Sequence, residues 1–117
     1  MSRADRVAAR LAERELDLLL VTDAVNIRYL TGFTGSNAML IVRAKDAVFL
    51  TDFRYLERVR PLREFLEVRQ VNQEIMRPAA DHLAALVPDG GMAGFEGEHL
   101  SHVRTTELAE RIPAGRL

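Results

Sequence analysis

The sequence predicts an α/β domain built around a mixed sheet, and three observations lead to this fold class. Short apolar runs alternate along the chain with segments in which apolar residues recur every three or four positions. Two of these runs, 38–43 and 47–51, are separated by only three residues, which predicts an antiparallel hairpin. The 117 residues suit a single domain over 1–117, and 48% hydrophobic residues suffice for its core.

The first half of the chain alternates helix and strand before it reaches this hairpin. An amphipathic pattern predicts a first helix that runs to about Glu15. Residues 17–21 are continuously apolar after the first position, which is typical of a strand covered on both faces. Asp23 is placed to cap a short second helix, and Gly32 is placed to end it in the left-handed conformation.

The second half of the chain continues the alternation of helix and strand. Asp52 is placed to cap a helix that runs from residue 53 to about Arg60, where Pro61 stops it. The elements that follow are a strand at 66–71, a helix beginning near Pro78, a strand at 92–95 and a last helix capped by Ser101.

Composition and charge exclude several classes of function. The 16 basic and 17 acidic residues give a net charge of −1, which argues against a nucleic-acid or membrane-surface partner. The chain has no cysteine, which excludes disulfides, thiolate metal sites and cysteine nucleophiles, and it fits a cytoplasmic location. The apolar run near the N-terminus is too short for a signal peptide or a membrane span.

Two groups of side chains carry hypotheses about metal binding. Asp23, Asp52 and Glu96 each follow a predicted strand, so they could converge at one sheet edge and hold Mg²⁺ for nuclease chemistry. The stronger interpretation makes Asp23 and Asp52 helix caps. His99 and His102 stand three residues apart, a metal-ligand spacing, but a polar loop explains them as well.

A stretch rich in arginine follows the second strand of the hairpin. Glutamates interleave with its arginines at helical spacing, which favours a solvated surface with weak ion pairs. Arg54 differs from the others because it lies in the segment Thr51-Asp-Phe-Arg-Tyr55, where the strand ends. An arginine at that place could bind a substrate carboxylate through paired hydrogen bonds.

Three segments, in the right order and spanning most of the chain, resemble one known family. Residues 20–37, which include Thr-Gly-Phe-Thr-Gly-Ser-Asn, closely resemble the opening of the creatinase/prolidase N-terminal domain. Residues 47–55, Ala-Val-Phe-Leu-Thr-Asp-Phe-Arg-Tyr, resemble the strand and turn that come next in this family. Residues 94–101, Gly-Phe-Glu-Gly-Glu-His-Leu-Ser, resemble its late strand and loop. The particular sequence looks most like a bacterial Xaa-Pro aminopeptidase or Xaa-Pro dipeptidase.

The resemblance implies a three-layer α/β/α sandwich with a mixed sheet and ribonuclease H-like topology. It also implies a pita-bread catalytic domain after this one, which binds two divalent metal ions, usually Mn²⁺ or Co²⁺, and activates water for peptide hydrolysis. We therefore expect no catalytic residue and no metal ligand in this chain, and a polypeptide that continues past Leu117.

The same resemblance implies a structural role for the N-terminal domain. In the family it helps to build dimers or tetramers, and it limits access to the neighbouring subunit's active site, where proline-containing peptides bind. Five residues are carried over as candidates that lie near the substrate across the dimer: Phe33, Thr34, Ser36, Arg54 and Tyr55. For Arg54 and Tyr55 a second role stays open, which is to fix the turn from the sheet to the next helix. Asn26, Arg28 and Tyr29 also match the family pattern and are expected to be architectural.

An alternative remains open on the sequence alone. Some proteins of this fold have lost peptidase activity and kept the domain for binding, so fold alone does not establish peptidase function. The second hypothesis is therefore a stand-alone module that binds a peptide or a protein. The close matches around Phe33 and Arg54 favour the peptidase branch.

Overall fold

Five strands and three α-helices form the part of the chain that the structure describes. This computed structural model describes residues 3–35, 37–44, 46–55, 57–64, 66–71, 74–87, 91–96 and Thr106. The elements are α1 (Arg3–Arg10), β1 (Leu18–Val21), α2 (Ala24–Thr31), β2 (Ala38–Arg43), β3 (Ala47–Asp52), β4 (Glu67–Val71), α3 (Met76–Leu86) and β5 (Ala93–Phe95).

The strands form one mixed sheet in the order β4-β3-β2-β1-β5. Strands β1, β2 and β3 are antiparallel neighbours, with Leu20 opposite Ile41 and Leu40 opposite Phe49. Strand β5 pairs with β1 in parallel, and β4 pairs with β3 in parallel. The predictions of the hairpin and of a mixed sheet are therefore confirmed.

Alternate residues of the central strands pack into two separate cores, one on each face of the sheet. On one face, Leu20, Met39 and Leu50 pack against Ala79 and Leu83 of α3. On the opposite face, Leu40, Val42 and Phe49 of the sheet pack with two residues from the α1 and α2 side, Leu11 and Ile27. The three-layer α/β/α arrangement is therefore confirmed. Truncating a fully buried leucine in such a core costs about 2–5 kcal/mol.

The caps of α2 follow the sequence prediction. Asp23 precedes the helix in extended conformation, and its carboxylate accepts a hydrogen bond from the Val25 N–H at 3.3 Å. Gly32 ends the helix at φ 81°, and its N–H donates to the carbonyl of Arg28 at 2.8 Å. Glycine is suited to this position because a Cβ atom is strained in the left-handed region.

The predicted α-helix between Asp52 and Arg60 is wrong. Two 3-10 helices are found instead, Phe53–Tyr55 and Arg60–Glu64. The Asp52 carboxylate accepts the Arg54 N–H two residues later, which makes a tight turn rather than an α-helical cap. Pro61 lacks the N–H that a continuing α-helix needs, so it stands in the first turn of the second 3-10 helix instead.

The first helix is shorter than predicted, because α1 ends at Arg10 and a 3-10 helix follows at Ala12–Arg14. The predicted last helix lies outside the described residues, apart from Thr106, which is helical. His99 and His102 also lie outside them. Among the described residues, no helix is long and apolar enough to cross a membrane.

Candidate functional site

Strands β1, β3, β4 and β5 run in the same direction, so their carboxyl ends share one edge of the sheet. Ligands of α/β proteins commonly bind at this edge. The sheet brings Asp52, at the end of β3, and Glu96, just after β5, to this edge. The two carboxylates do different things there, and only the surroundings of Asp52 include the candidate substrate-proximal residues.

The Asp52 side chain is fully buried, and its carboxylate accepts hydrogen bonds from Arg54 and Asn37. Its two oxygens accept hydrogen bonds from Nε and Nη2 of Arg54, each at 2.8 Å, in a bidentate pair. Oδ2 also accepts from the side-chain amide of Asn37 at 2.8 Å. Thr51, the preceding residue, donates from its hydroxyl to the Asn37 carbonyl at 2.7 Å. The end of β3 is thus tied to the segment that leads into β2.

The electrostatics of this pair follow from its hydrogen bonds. The hydrogen bonds from the Arg54 side chain hold the pKa of Asp52 well below its usual range, and the Asn37 amide acts in the same direction. The same pair raises the pKa of Arg54. Both groups are therefore charged at neutral pH. Arg54 keeps 44% of its side chain exposed, whereas Asp52 has none of its side chain exposed.

The loop at residues 32–35 packs through the Phe33 ring against Phe49 of β3 and against Tyr55, the residue after Arg54. The Phe33 ring makes edge-to-face contacts with Phe49 at 5.1 Å and with Tyr55 at 5.3 Å between centroids. Gly35 lies so close that an added Cβ would stand 2.2 Å from Cζ of Phe33 and 2.9 Å from Cε1 of Tyr55. The loop therefore requires glycine at position 35 in order to lie flat against the two rings.

Two guanidinium groups share the Tyr55 ring. Cζ of Arg54 lies 5.2 Å from the ring centroid, and Cζ of Arg58 lies 5.6 Å from it. Both distances are within the range of cation–π interactions. The Tyr55 side chain thus contacts Phe33 of the loop and also two arginines near the start of the segment after β3.

The structure brings together four of the five candidate residues. Phe33 is buried in the core of its own chain, at 6% exposure, and Tyr55 is half-buried beside it. Thr34 and Arg54 are exposed. Ser36 lies outside the described residues. The two aromatic candidates, Phe33 and Tyr55, are therefore packed together, and the polar candidates that follow or precede them in the chain, Thr34 and Arg54, are exposed.

The nuclease hypothesis is wrong in its central assumption, because its three carboxylates do not converge. Oε1 of Glu96 accepts the backbone N–H groups of Thr22 and Asp23, and Oε2 accepts the side-chain amide of Asn26. Glu96 thus binds the two residues that precede α2 and the side chain of Asn26 in its first turn. Asp52 stands three strands away in the sheet, about 14 Å at ordinary strand spacing. The described residues hold no cluster of three metal-ligating side chains.

The sequence interpretation missed three residues of these sites. Asn37 and Arg58 were not singled out, and Glu96 was assigned to metal binding rather than to α2. The Asn37 contact spans 15 residues and the Glu96 contacts span 70 or more, so no local pattern reports them. Arg58 had one usable signal, since it stands four residues after Arg54 with the tyrosine between them.

Comparisons with known proteins agree with this fold. The family model of the Creatinase/Prolidase N-terminal domain matches residues 3–117. Over 106 residues the chain is 35% identical to the uncharacterized peptidase YqhT of Bacillus subtilis (strain 168), covering 84% of this chain and 29% of YqhT.

Two solved structures are similar over almost the whole chain. The N-terminal domain of the cytoplasmic peptidase PepQ from Mycobacterium tuberculosis H37Rv has a TM-score of 0.82 and 33% identity, over 96% of this chain and 85% of that one. An Xaa-Pro dipeptidase from Bacillus anthracis has a TM-score of 0.81 and 28% identity, over 95% of this chain and 31% of that one. The chain thus spans roughly a third of the length of YqhT and of this dipeptidase.

Proposed function

Since the chain belongs to the Creatinase/Prolidase N-terminal domain family, we propose that it is the non-catalytic N-terminal domain of a metal-dependent Xaa-Pro peptidase. The parent enzyme hydrolyses the bond before proline in dipeptides or short peptides. The similarity to an Xaa-Pro dipeptidase and to the peptidase YqhT supports this activity. The similarity to the cytoplasmic peptidase PepQ supports a cytoplasmic location.

The two divalent metal ions of the parent, Mn²⁺ or Co²⁺, belong to its catalytic part and not to this domain. The described residues do not fit such a pair, because they contain no cluster of three or more histidine, aspartate or glutamate side chains that could hold a metal ion. The two strand-end carboxylates already have hydrogen-bond donors within the domain: Asp52 binds Arg54, and Glu96 binds the backbone just before α2. In this proposal, hydrolysis takes place in the catalytic domain of the parent enzyme.

The domain serves oligomerisation and limits access to the neighbouring subunit's active site. The observation that supports this role is the packing of the loop at residues 32–35, where Phe33 and Gly35 lie against the Tyr55 ring just after β3. In this proposal Thr34, Ser36 and Arg54 approach the substrate across a dimer or tetramer, and Phe33 and Tyr55 support them. A rigid loop suits this task, because a gate excludes large substrates only when it keeps its shape.

The activity is tested with the complete parent protein, in the presence of Mn²⁺ or Co²⁺. We expect it to hydrolyse Ala-Pro and to leave Ala-Gly intact, and we expect the 117-residue chain alone to hydrolyse neither. A parent protein that retains its fold but cleaves neither Ala-Pro nor a longer peptide before its proline would overturn the peptidase proposal. Stoichiometric capture of a specific peptide or protein in that case would support the stand-alone binding module.

Gating is tested separately by enlarging the exposed loop residue. In the parent enzyme, Thr34→Trp should lower kcat/KM for a proline tetrapeptide more than for a dipeptide, because a larger side chain narrows the entrance. Ala85→Trp is the matched control, since Ala85 is also exposed but lies on α3, away from the loop. Equal effects of the two substitutions on both substrates would remove the gating role and leave the peptidase proposal intact.

A further inference from the structure

We infer that Arg54 and Arg58, on either side of Tyr55 in the chain, form a carboxylate-binding site whose ligand is the C-terminal carboxylate of a proline-containing peptide. The carboxylate chemistry follows from the geometry of this chain. The choice of a peptide as its source rests on the proposed function. The site is a property of the N-terminal domain itself, so it can be tested with and without the rest of the parent enzyme.

The first argument is an excess of positive charge. Arg54 and Arg58 both lie within 6 Å of the Tyr55 ring centroid, and Asp52 supplies one negative charge to Arg54. Within the part of the chain that the structure describes, Arg58 forms no ion pair. By contrast, three other arginines are paired with acidic side chains: Arg43 with Asp46, Arg60 with Glu57, and Arg69 with Glu67. The Tyr55 cluster therefore carries a net positive charge that an anion would complete.

The second argument is that Asp52 binds the Arg54 guanidinium along only one of its edges. A guanidinium has five N–H donors, and the bidentate pair with Asp52 uses one on Nε and one on Nη2. Three donors therefore lie outside this pair on a side chain that is 44% exposed. Because the Asp52 carboxylate is fully buried, it orients Arg54 from within the protein and does not occupy the exposed part of that side chain.

The third argument is pre-organisation. The Asn37 amide holds the buried carboxylate, and the carboxylate holds the guanidinium, so the arginine loses little rotamer freedom when a ligand binds. The flat Tyr55 ring limits the positions of Arg54 and Arg58 from a second direction. Thr34, which follows Phe33 in the chain, is also exposed.

A direct test uses the 117-residue chain and two small probes, Gly-Pro and Gly-prolinamide, followed by NMR. Only the first probe carries a free carboxylate. We expect Gly-Pro to shift the side-chain N–H signals of Arg54 and Arg58, and Gly-prolinamide to leave them in place. Equal shifts with both probes, or shifts confined to other residues, would overturn the carboxylate site.

Substitutions identify the two arginines. Arg54→Gln and Arg58→Gln should each weaken Gly-Pro binding about tenfold or more, which corresponds to about 1.4 kcal/mol. Arg60→Gln is the control and should change nothing, since Arg60 is already paired with Glu57. Arg54→Gln leaves the buried Asp52 without its cation and can impair folding. Arg58 has no such structural role, so undiminished Gly-Pro binding by Arg58→Gln would overturn the two-arginine site.

The source of the carboxylate is tested in the parent enzyme. If the peptide supplies it, Arg58→Gln should reduce kcat/KM about tenfold for Ala-Pro relative to Ala-prolinamide, by raising KM, and should leave the oligomeric state unchanged. If Arg58→Gln instead dissociates the oligomer and leaves this ratio unchanged, an acidic residue of the other subunit supplies the carboxylate, and the peptide assignment is wrong. If the parent lacks Xaa-Pro activity but its N-terminal domain still distinguishes Gly-Pro from Gly-prolinamide, the peptidase proposal is refuted and the carboxylate site is not.

Discussion

Asp52 and Glu96 stand at the same edge of the sheet, yet their carboxylates have different partners. Glu96 accepts two backbone N–H groups and the Asn26 amide, so its charge serves the N-terminus of α2. Asp52 is buried and accepts a guanidinium, so its charge holds a cation that remains 44% exposed. The first arrangement completes a helix, whereas the second presents a charged group to the outside.

This difference shows why a strand-end carboxylate is not by itself a sign of catalysis. Both residues fit a pattern in which acidic side chains follow strands of an α/β sheet. What distinguishes them is the partner that the fold supplies. A site that recognises an anion is expected where the partner is an exposed cation, and near Asp52 the structure places two such cations, Arg54 and Arg58.

The largest effect on stability is expected for Asp52→Ala. The substitution leaves the Arg54 guanidinium and the Asn37 amide without their buried acceptor, which is strongly unfavourable. The Tm of the 117-residue chain, followed by circular dichroism, should fall several times further than it does for Asp46→Ala. Asp46 is the control because its pair with Arg43 is exposed and contributes about 0–1 kcal/mol. Similar decreases in Tm for the two variants would show that the buried pair is no stronger than a surface pair.

The same pair should give stability a defined dependence on pH. Because Arg54 lowers the pKa of Asp52 in the folded chain, protons bind the unfolded chain first, near a pKa of about 3.9. The stabilisation is therefore fully present above about pH 5, and it is lost as the pH falls through 4 towards the lower folded pKa. Urea unfolding of the natural chain and of Asp52→Asn between pH 7 and pH 2 should show their difference in free energy shrinking below pH 4. A difference that widens towards acid would contradict this sign.

A smaller effect on stability is expected in the loop at residues 32–35, which packs against Tyr55. Gly35→Ala places a methyl group against Phe33 and Tyr55, and such overpacking costs about 1–3 kcal/mol. Gly32→Ala is the matched control, because its Cβ would meet no atom within 4 Å and only its φ of 81° opposes it, at about 1–2 kcal/mol. Chemical denaturation measures both costs. The Tyr55 ring signals in NMR should move for Gly35→Ala alone, and equal movement in both variants would disprove the contact.

The smallest effect is expected for Glu96→Gln. The amide keeps one acceptor oxygen but loses the charge at the N-terminus of α2, which costs about 1 kcal/mol. Glu57→Gln, at an exposed pair, should cost less than about 0.5 kcal/mol. Gly-Pro binding should be unaffected by Glu96→Gln, and a clear loss of binding would show that the surroundings of Asp52 and of Glu96 are not separate in function.

Local patterns accounted for most of the elements and failed where the chain leaves β3. Strand β1, the hairpin and the caps of α2 were predictable, because hydrophobic alternation and residues such as Asp23 and Gly32 act over a few positions. The segment after Asp52 was not, because its arginines, glutamates and hydrophobic residues also fit a helix. The hydrogen bonds that the Asp52 carboxylate accepts from the backbone N–H and the side chain of Arg54 favour 3-10 turns there instead.

By itself the sequence determined the fold class, the family and the candidate residues Phe33, Thr34, Arg54 and Tyr55, since these depend on local periodicity and on contiguous motifs. Only the tertiary structure decided which residues work together. The strand order sets Asn37 beside Asp52 across 15 residues, and Glu96 beside Asp23 across 73. Contacts between distant segments follow from how the sheet is assembled, and the order of strands is not written in the spacing of residues along the chain.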